Sequence, residues 1–105
     1  MTRVEFTKTI VELLEGMKNV GEHPIIDFVK RSAEEQNRLF KEGKSKCDGY
    51  KVLSKHQSGK AMDIYFIGKD GKLADPQYGW EYWHEWWDKM GGSPMIEWDK
   101  MHFEG

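Results

Sequence analysis

Residues 54–66 read SKHQSGKAMDIYF, a polar, glycine-containing run that carries one His and, seven residues later, one Asp at the mouth of an apolar stretch. Its second half decides the fold. Residues 61–67, AMDIYFI, are β-branched and aromatic and form the strongest strand candidate in the chain. Lys69-Asp70-Gly71-Lys72 follows as a hairpin-like turn. Upstream, residues 42–60 are polar and turn-rich, a loop with a short extended piece at Tyr50–Leu53.

Further out, helices and strands alternate without a βαβ repeat. Phe6, Ile10, Leu13, Leu14 and Met17 recur at helical spacing, which predicts an amphipathic helix over 5–18, ended by Asn19 and Gly21. PIIDFVK (24–30) reads as a strand or extended segment. Ser32 and Glu35 form an S-x-x-E capping box that opens a second helix, with Leu39 and Phe40 on its inner face and Gly43 at its end. Asp75-Pro76 has the form of a cap followed by proline in the first helical turn. The helix it announces carries Trp80, Trp83, His84 and Trp87 on one stripe and stops at Gly91-Gly92. EWDKMHFEG then reads as an extended segment. The expected class is α+β: a small antiparallel sheet flanked by about three helices.

Length and composition narrow the function. At 105 residues the chain is expected to be a single domain spanning 1–105, with no separate second module. Aromatic residues at 13%, five of them Trp, supply a core that a disordered chain lacks. A net charge of −2, with both signs mixed along the sequence, offers nothing to nucleic acid or to an anionic membrane. A monomer is expected. The N-terminal stretch is interrupted by Lys8, Glu12 and Glu15, unlike a signal peptide, and no apolar run approaches the ~20 residues of a membrane span. The expectation is synthesis in a cytoplasm without a signal peptide.

Cys47 is the only cysteine, so a Cys-based zinc site and an internal disulfide are both ruled out. No His partner marks Cys47 as a nucleophile, and it reads as an incidental thiol. Metal chemistry falls to His, Asp and Glu. His56 and Asp63 can meet if the loop folds back on the strand, and Gly59 permits the tight path. Alone, the two also fit a solvated loop followed by an acidic strand start. Asp99 and His102, three residues apart near the other end of the sequence, change that balance. They offer a further ligand and a carboxylate suited to general-base work. His84-Glu85-Trp86-Trp87-Asp88 imitates the H-E-x-x-H zinc helix, but Asp88 stands where the second His is needed. His84 shares a stripe with three Trp and reads as a packed, hydrogen-bonded residue. His23, in GEHPII, reads as a turn residue.

Three segments together resemble one family. Ser54, His56, Gly59, Ala61 and Asp63 fit S-x-H-x-x-G-x-A-x-D, a signature of the zinc D-alanyl-D-alanine carboxypeptidase and L-alanyl-D-glutamate endopeptidase family. Arg31, Ser32 and Gln36 resemble its R-S-x-x-x-Q segment, and Trp98-Asp99-Lys100-Met101-His102-Phe103-Glu104 its W-D-x-x-H-F-E ending. An Asp three residues before the last His, rather than a Glu, is similar to the endopeptidase branch found among phage endolysins. Lys30 and Lys60 depart from the pattern, where an aromatic and an apolar residue are usual.

What the resemblance implies is a zinc D,D-peptidase-like fold and a zinc-dependent peptidase acting on the peptidoglycan stem peptide, cutting between L-Ala and D-Glu. The implied metal ligands for Zn²⁺ are His56, Asp63 and His102, with Asp99 as general base. Arg31 is the candidate for stabilising negative charge on the substrate, against an ordinary surface ion pair. Ser54 either bonds substrate or braces the loop, and Gln36 orients a neighbour at the substrate-binding side. Action at the cell wall after phage-type release is the matching expectation for location. A D,D-carboxypeptidase or D-Ala-D-Ala dipeptidase with the same metal site, or a non-catalytic zinc-stabilised wall-binding module, remain the alternatives.

Overall fold

In a computed structural model of the chain, residues 1–27, 33–43 and 59–105 are described, Gln36 by its backbone alone. The strand at Ala61–Ile67 is the centre of the sheet (β2; its partners, in chain order, are β1 at Pro24–Asp27, β3 at Leu73–Ala74 and β4 at His102–Glu104). Met62, Ile64 and Phe66 of β2 are buried in the core, while Asp63, Tyr65 and Ile67 turn to the opposite face and stay partly exposed. The two-residue period of a strand makes that division.

Among the described residues all pairings are antiparallel. β1 runs along one edge of β2, with Pro24 opposite Phe66 and Asp27 opposite Asp63. The other edge is divided. β4 pairs with residues 61–63, placing His102 opposite Asp63, and β3 pairs with residues 66–67. The turn between β2 and β3 is the expected one: Gly68 N–H donates to Lys72 O (2.8 Å), and Asp70 Oδ1 accepts from Lys72 N–H (3.0 Å).

Three helices complete the described residues: α1 (Arg3–Asn19), α2 (Ala33–Lys41) and α3 (Trp80–Lys89). α1 begins earlier than its apolar stripe suggests because Thr2 and Glu5 form a reciprocal capping box. Thr2 Oγ1 accepts from Glu5 N–H (3.1 Å), and Glu5 Oε1 accepts from Thr2 N–H (2.9 Å). Phe6, Ile10, Leu13 and Met17 form its buried stripe and pack with Met62, Ile64, Phe66 and Phe103 from the sheet and Trp83 and Trp87 from α3. Trp87 stands edge-on to Phe6 at 5.6 Å and to Phe103 at 6.2 Å, an arrangement aromatic rings prefer over face-to-face stacking. Burying each of these side chains contributes about 1.5–3 kcal/mol before entropy is counted.

Three expectations need correction. α3 starts at Trp80, not just after Asp75-Pro76. Residues 76–79 form a turn closed by Gly79 N–H to Pro76 O (3.0 Å), and Gly79, at φ +89°, takes a left-handed conformation that breaks the helical path. Asp75 instead accepts from the Trp80 indole N–H (3.0 Å). Second, Leu39 of α2 is buried but Phe40 is 45% exposed. Successive helical residues point about 100° apart, so one of the pair turns outward. Third, residues 97–101 form a turn and only His102–Glu104 is strand. Ser32 and the Tyr50–Leu53 piece lie outside the described residues.

Glu22, between α1 and β1, is 4% exposed and belongs to the core. Its carboxylate accepts from the Gln77 and Tyr78 amides (2.8 and 3.2 Å) and from the Trp83 indole N–H (2.7 Å). It thereby ties the turn that opens α3 to the end of α1.

Gly92 closes α3 in a space that admits no side chain. A Cβ there would collide with the Trp87 indole, whose Nε1 donates to Glu104 O at 2.7 Å. Trp87 is fully buried and has no room to retreat. Gly92→Ala is expected to cost about 2–4 kcal/mol, from overpacking and from loss of that bond. Chemical denaturation measures it, and a loss below about 0.5 kcal/mol, the scale of a surface change, would contradict the packing described.

Candidate functional site

Register builds the site. Asp27, Asp63 and His102 occupy one cross-strand row through β1, β2 and β4, so their side chains share the face of the sheet opposite the core. Two residues along β2 on that face is Tyr65, and two residues along β4 is Glu104. The turn before β4 brings Asp99 to the same region. Asp99 N–H donates to Ile96 O and His102 N–H to Asp99 O, both at 3.0 Å. Ile64 N–H donates to Met101 O (2.9 Å) and fastens the turn to β2.

His102 Nδ1 lies 3.4 Å from Asp63 Oδ1, and the two side chains are only 11% and 13% exposed. His102 Nε2 is 3.7 Å from Glu104 Oε1. Burial works against a charged imidazole here, but the Asp63 hydrogen bond and the negative charges of Asp63, Asp99 and Glu104 outweigh it. The His102 pKa is raised above 6.5. Tyr65 is shifted upward by burial, then by Asp63, Asp27 and Asp99, so its phenol stays protonated. Asp27 stands directly opposite Asp63 in the register, so two acidic residues share this row.

An Asp carboxylate and a His imidazole are ligand types that suit a divalent metal. Two ligand atoms held about 2.0–2.2 Å from a tetrahedral zinc lie about 3.3 Å from each other. The Asp63–His102 separation of 3.4 Å is close to that span, so the two atoms that share a long hydrogen bond here are also spaced as two ligands would be. Among the described residues no three His, Cys, Asp or Glu side chains converge on one point. His56, the remaining expected ligand, lies outside them.

Of the residues singled out from sequence, the structure therefore brings Asp63, Asp99 and His102 together. Arg31, Ser54, His56, Cys47 and the side chain of Gln36 lie outside the described residues. His84 is 3% exposed and its Nε2 is 2.6 Å from Lys100 O, the packed, hydrogen-bonded state expected of it. His23 is exposed beside β1, where its carbonyl accepts from Ile67 N–H (3.0 Å). Asp27 and Tyr65 join the site without a sequence motif to announce them. The signal for Tyr65 is its two-residue spacing from Asp63 in a strand; Asp27 needs the register of β1, which no local pattern carries.

No protein-family model matches the chain, and no curated protein does. Among solved structures the likeness is to a peptidase-like α+β fold. The chain is similar to the L,D-carboxypeptidase DacB from Streptococcus pneumonia, with a TM-score of 0.63 at 18% identity. The match covers 95% of this chain and 64% of that one, so this chain spans less than two thirds of the length of that solved chain. At that identity the likeness establishes the fold.

Proposed function

We propose that this chain is a zinc-dependent peptidase of the peptidoglycan stem peptide, an endolysin-like enzyme cutting between L-Ala and D-Glu. The observation that carries the reading is the Asp63–His102 pair, at the spacing of two zinc ligands, with Asp99 in the adjoining turn. That one similar solved structure is an L,D-carboxypeptidase supports peptidase chemistry.

Asp63 and His102, with His56 by resemblance, would hold the ion. When bound, Zn²⁺ supplies a Lewis acid that lowers the pKa of water and polarises the scissile carbonyl. Asp99 accepts the proton of the attacking water as its oxygen bonds to the carbonyl carbon, and delivers that proton to the amine as the C–N bond breaks. Arg31 is assigned to the developing negative charge. The flanking carboxylates Asp27 and Glu104 add negative charge beside the pair, which favours a cation there.

Digestion of purified peptidoglycan, with zinc and with chelator, read by mass spectrometry, tests the proposal. New N-terminal D-Glu peptides that vanish with chelator are expected, together with about one zinc per chain that His102→Ala loses. Native protein without zinc would overturn the metal site. A second reading, a carboxypeptidase with the same site, is favoured by the activity of the similar solved enzyme; release of a single terminal residue would select it.

The raised His102 pKa gives a pH signature. A proton and the metal compete for the same nitrogen, so zinc affinity should fall about tenfold per pH unit below the raised value, starting above pH 6.5. For the metal-free protein the sign is opposite. Because the folded pKa is raised, protonated His102 contributes stability below the unfolded value that is lost as pH rises through the folded one. Chelator competition and thermal unfolding across pH measure the two; a zinc affinity flat through this range would remove His102 from the ligand set.

A further inference from the structure

We propose that His84 is a positioning residue for the Asp99–His102 turn, acting through the Lys100 carbonyl; this rests on the reading that Asp99 and His102 belong to the active site. The Lys100 carbonyl is only an acceptor, so His84 Nε2 carries the proton and donates across 2.6 Å. That leaves Nδ1 as a bare acceptor, buried and without a partner among the described residues. The same ring stacks flat on Phe103, at 4.0 Å between centroids and 5° between planes.

One imidazole thus grips the chain on both sides of His102: two residues before it by a hydrogen bond, one residue after it by stacking. Trp87, one turn further along α3, adds a bond to Glu104 O. The inner stripe of α3 is the backing against which His102 is set. An apolar ring at position 84 would fill the space and spare the unpartnered Nδ1, at the cost of the donor to Lys100 O. What the histidine adds over such a ring is a fixed donor for the Asp99–His102 turn. Burial also holds the ring in its neutral state, with the hydrogen bond to Lys100 only partly opposing and the charge of His102 adding to the effect.

Two substitutions separate the roles of the ring. His84→Phe keeps the stack and removes the donor; His84→Gln keeps a donor and removes the stack. Amide exchange at His102 and Ile64, whose N–H groups bond to Asp99 O and Met101 O, reads the turn without metal or substrate. Exchange there is expected to be faster in His84→Phe and near wild type in His84→Gln. Zinc affinity should fall about tenfold in His84→Phe and be largely restored in His84→Gln, with hydrolysis losing kcat rather than gaining KM. Wild-type exchange in His84→Phe, or equal loosening in both variants, overturns the proposal. Should His84→Phe fail to fold, His84→Gln decides: protection of the His102 amide supports the donor role, and its loss overturns it. If wild-type protein neither binds zinc nor cleaves peptidoglycan, the functional reading fails while the exchange result still judges His84.

Discussion

Asp99→Asn is expected to keep the fold and the zinc and to lose roughly 10²–10⁴-fold in hydrolysis, the usual contribution of a positioned general base. The two backbone bonds at Asp99, to Ile96 O and from His102 N–H, do not involve the carboxylate, and Asn has the same shape. What changes is the ability to take a proton. The loss should fall on kcat, since the interaction belongs to the transition state. Removing the negative charge also withdraws one of the influences that raise the His102 pKa, so the onset of zinc loss on acidification should move to lower pH. Zinc content, steady-state kinetics on peptidoglycan fragments and chelator competition measure these effects. Full activity in the variant would take Asp99 out of the mechanism.

Glu22→Ala should be the most damaging single change away from the site. The carboxylate serves three donors, two amides of the turn before α3 and the Trp83 indole, and it is almost wholly buried. Truncation leaves those donors unpaired in a place where Trp83 is fully enclosed. Hydrogen bonds to a charged acceptor contribute more than neutral ones, and an orphaned buried donor bears its full desolvation cost. A loss of about 3–5 kcal/mol is expected, enough to lower the melting temperature by about 15–30 °C in a chain of this size. Glu22→Gln should fall between, because one amide oxygen cannot serve three donors and its NH₂ would face an N–H. A shift of only a few degrees in Glu22→Ala would mean that other groups already satisfy the turn.

The difference between what is legible in the sequence and what is not follows range. The apolar spacing of Phe6, Ile10, Leu13 and Met17, the strand 61–67 and the Asp70-Gly71 turn are local patterns, and each matches its element. The start of α3 departs from expectation because Asp75-Pro76 has a capping form, while the group that organises the turn is Glu22, more than fifty positions earlier. Within the site, Asp63, Asp99 and His102 are visible as residue types in recurring motifs. That Asp27 joins their row depends on which residue of β1 faces which residue of β2, a fact of pairing rather than of composition. His84 is legible as packed, but its hold on Lys100 is not.

The divided edge of β2 has a consequence for the order of assembly. β3 reaches its half of that edge across a short hairpin, so its pairing closes a small loop and can form early. β4 reaches the other half only after α3 has been laid down, because Asp63 must find His102 across the whole intervening segment. Long-range pairing of this kind is entropically slow and belongs to the late stages of folding. During biosynthesis the row of Asp27, Asp63 and His102 would therefore stay open until nearly all of these residues had emerged, and a partly made chain would carry a formed hairpin but no assembled site.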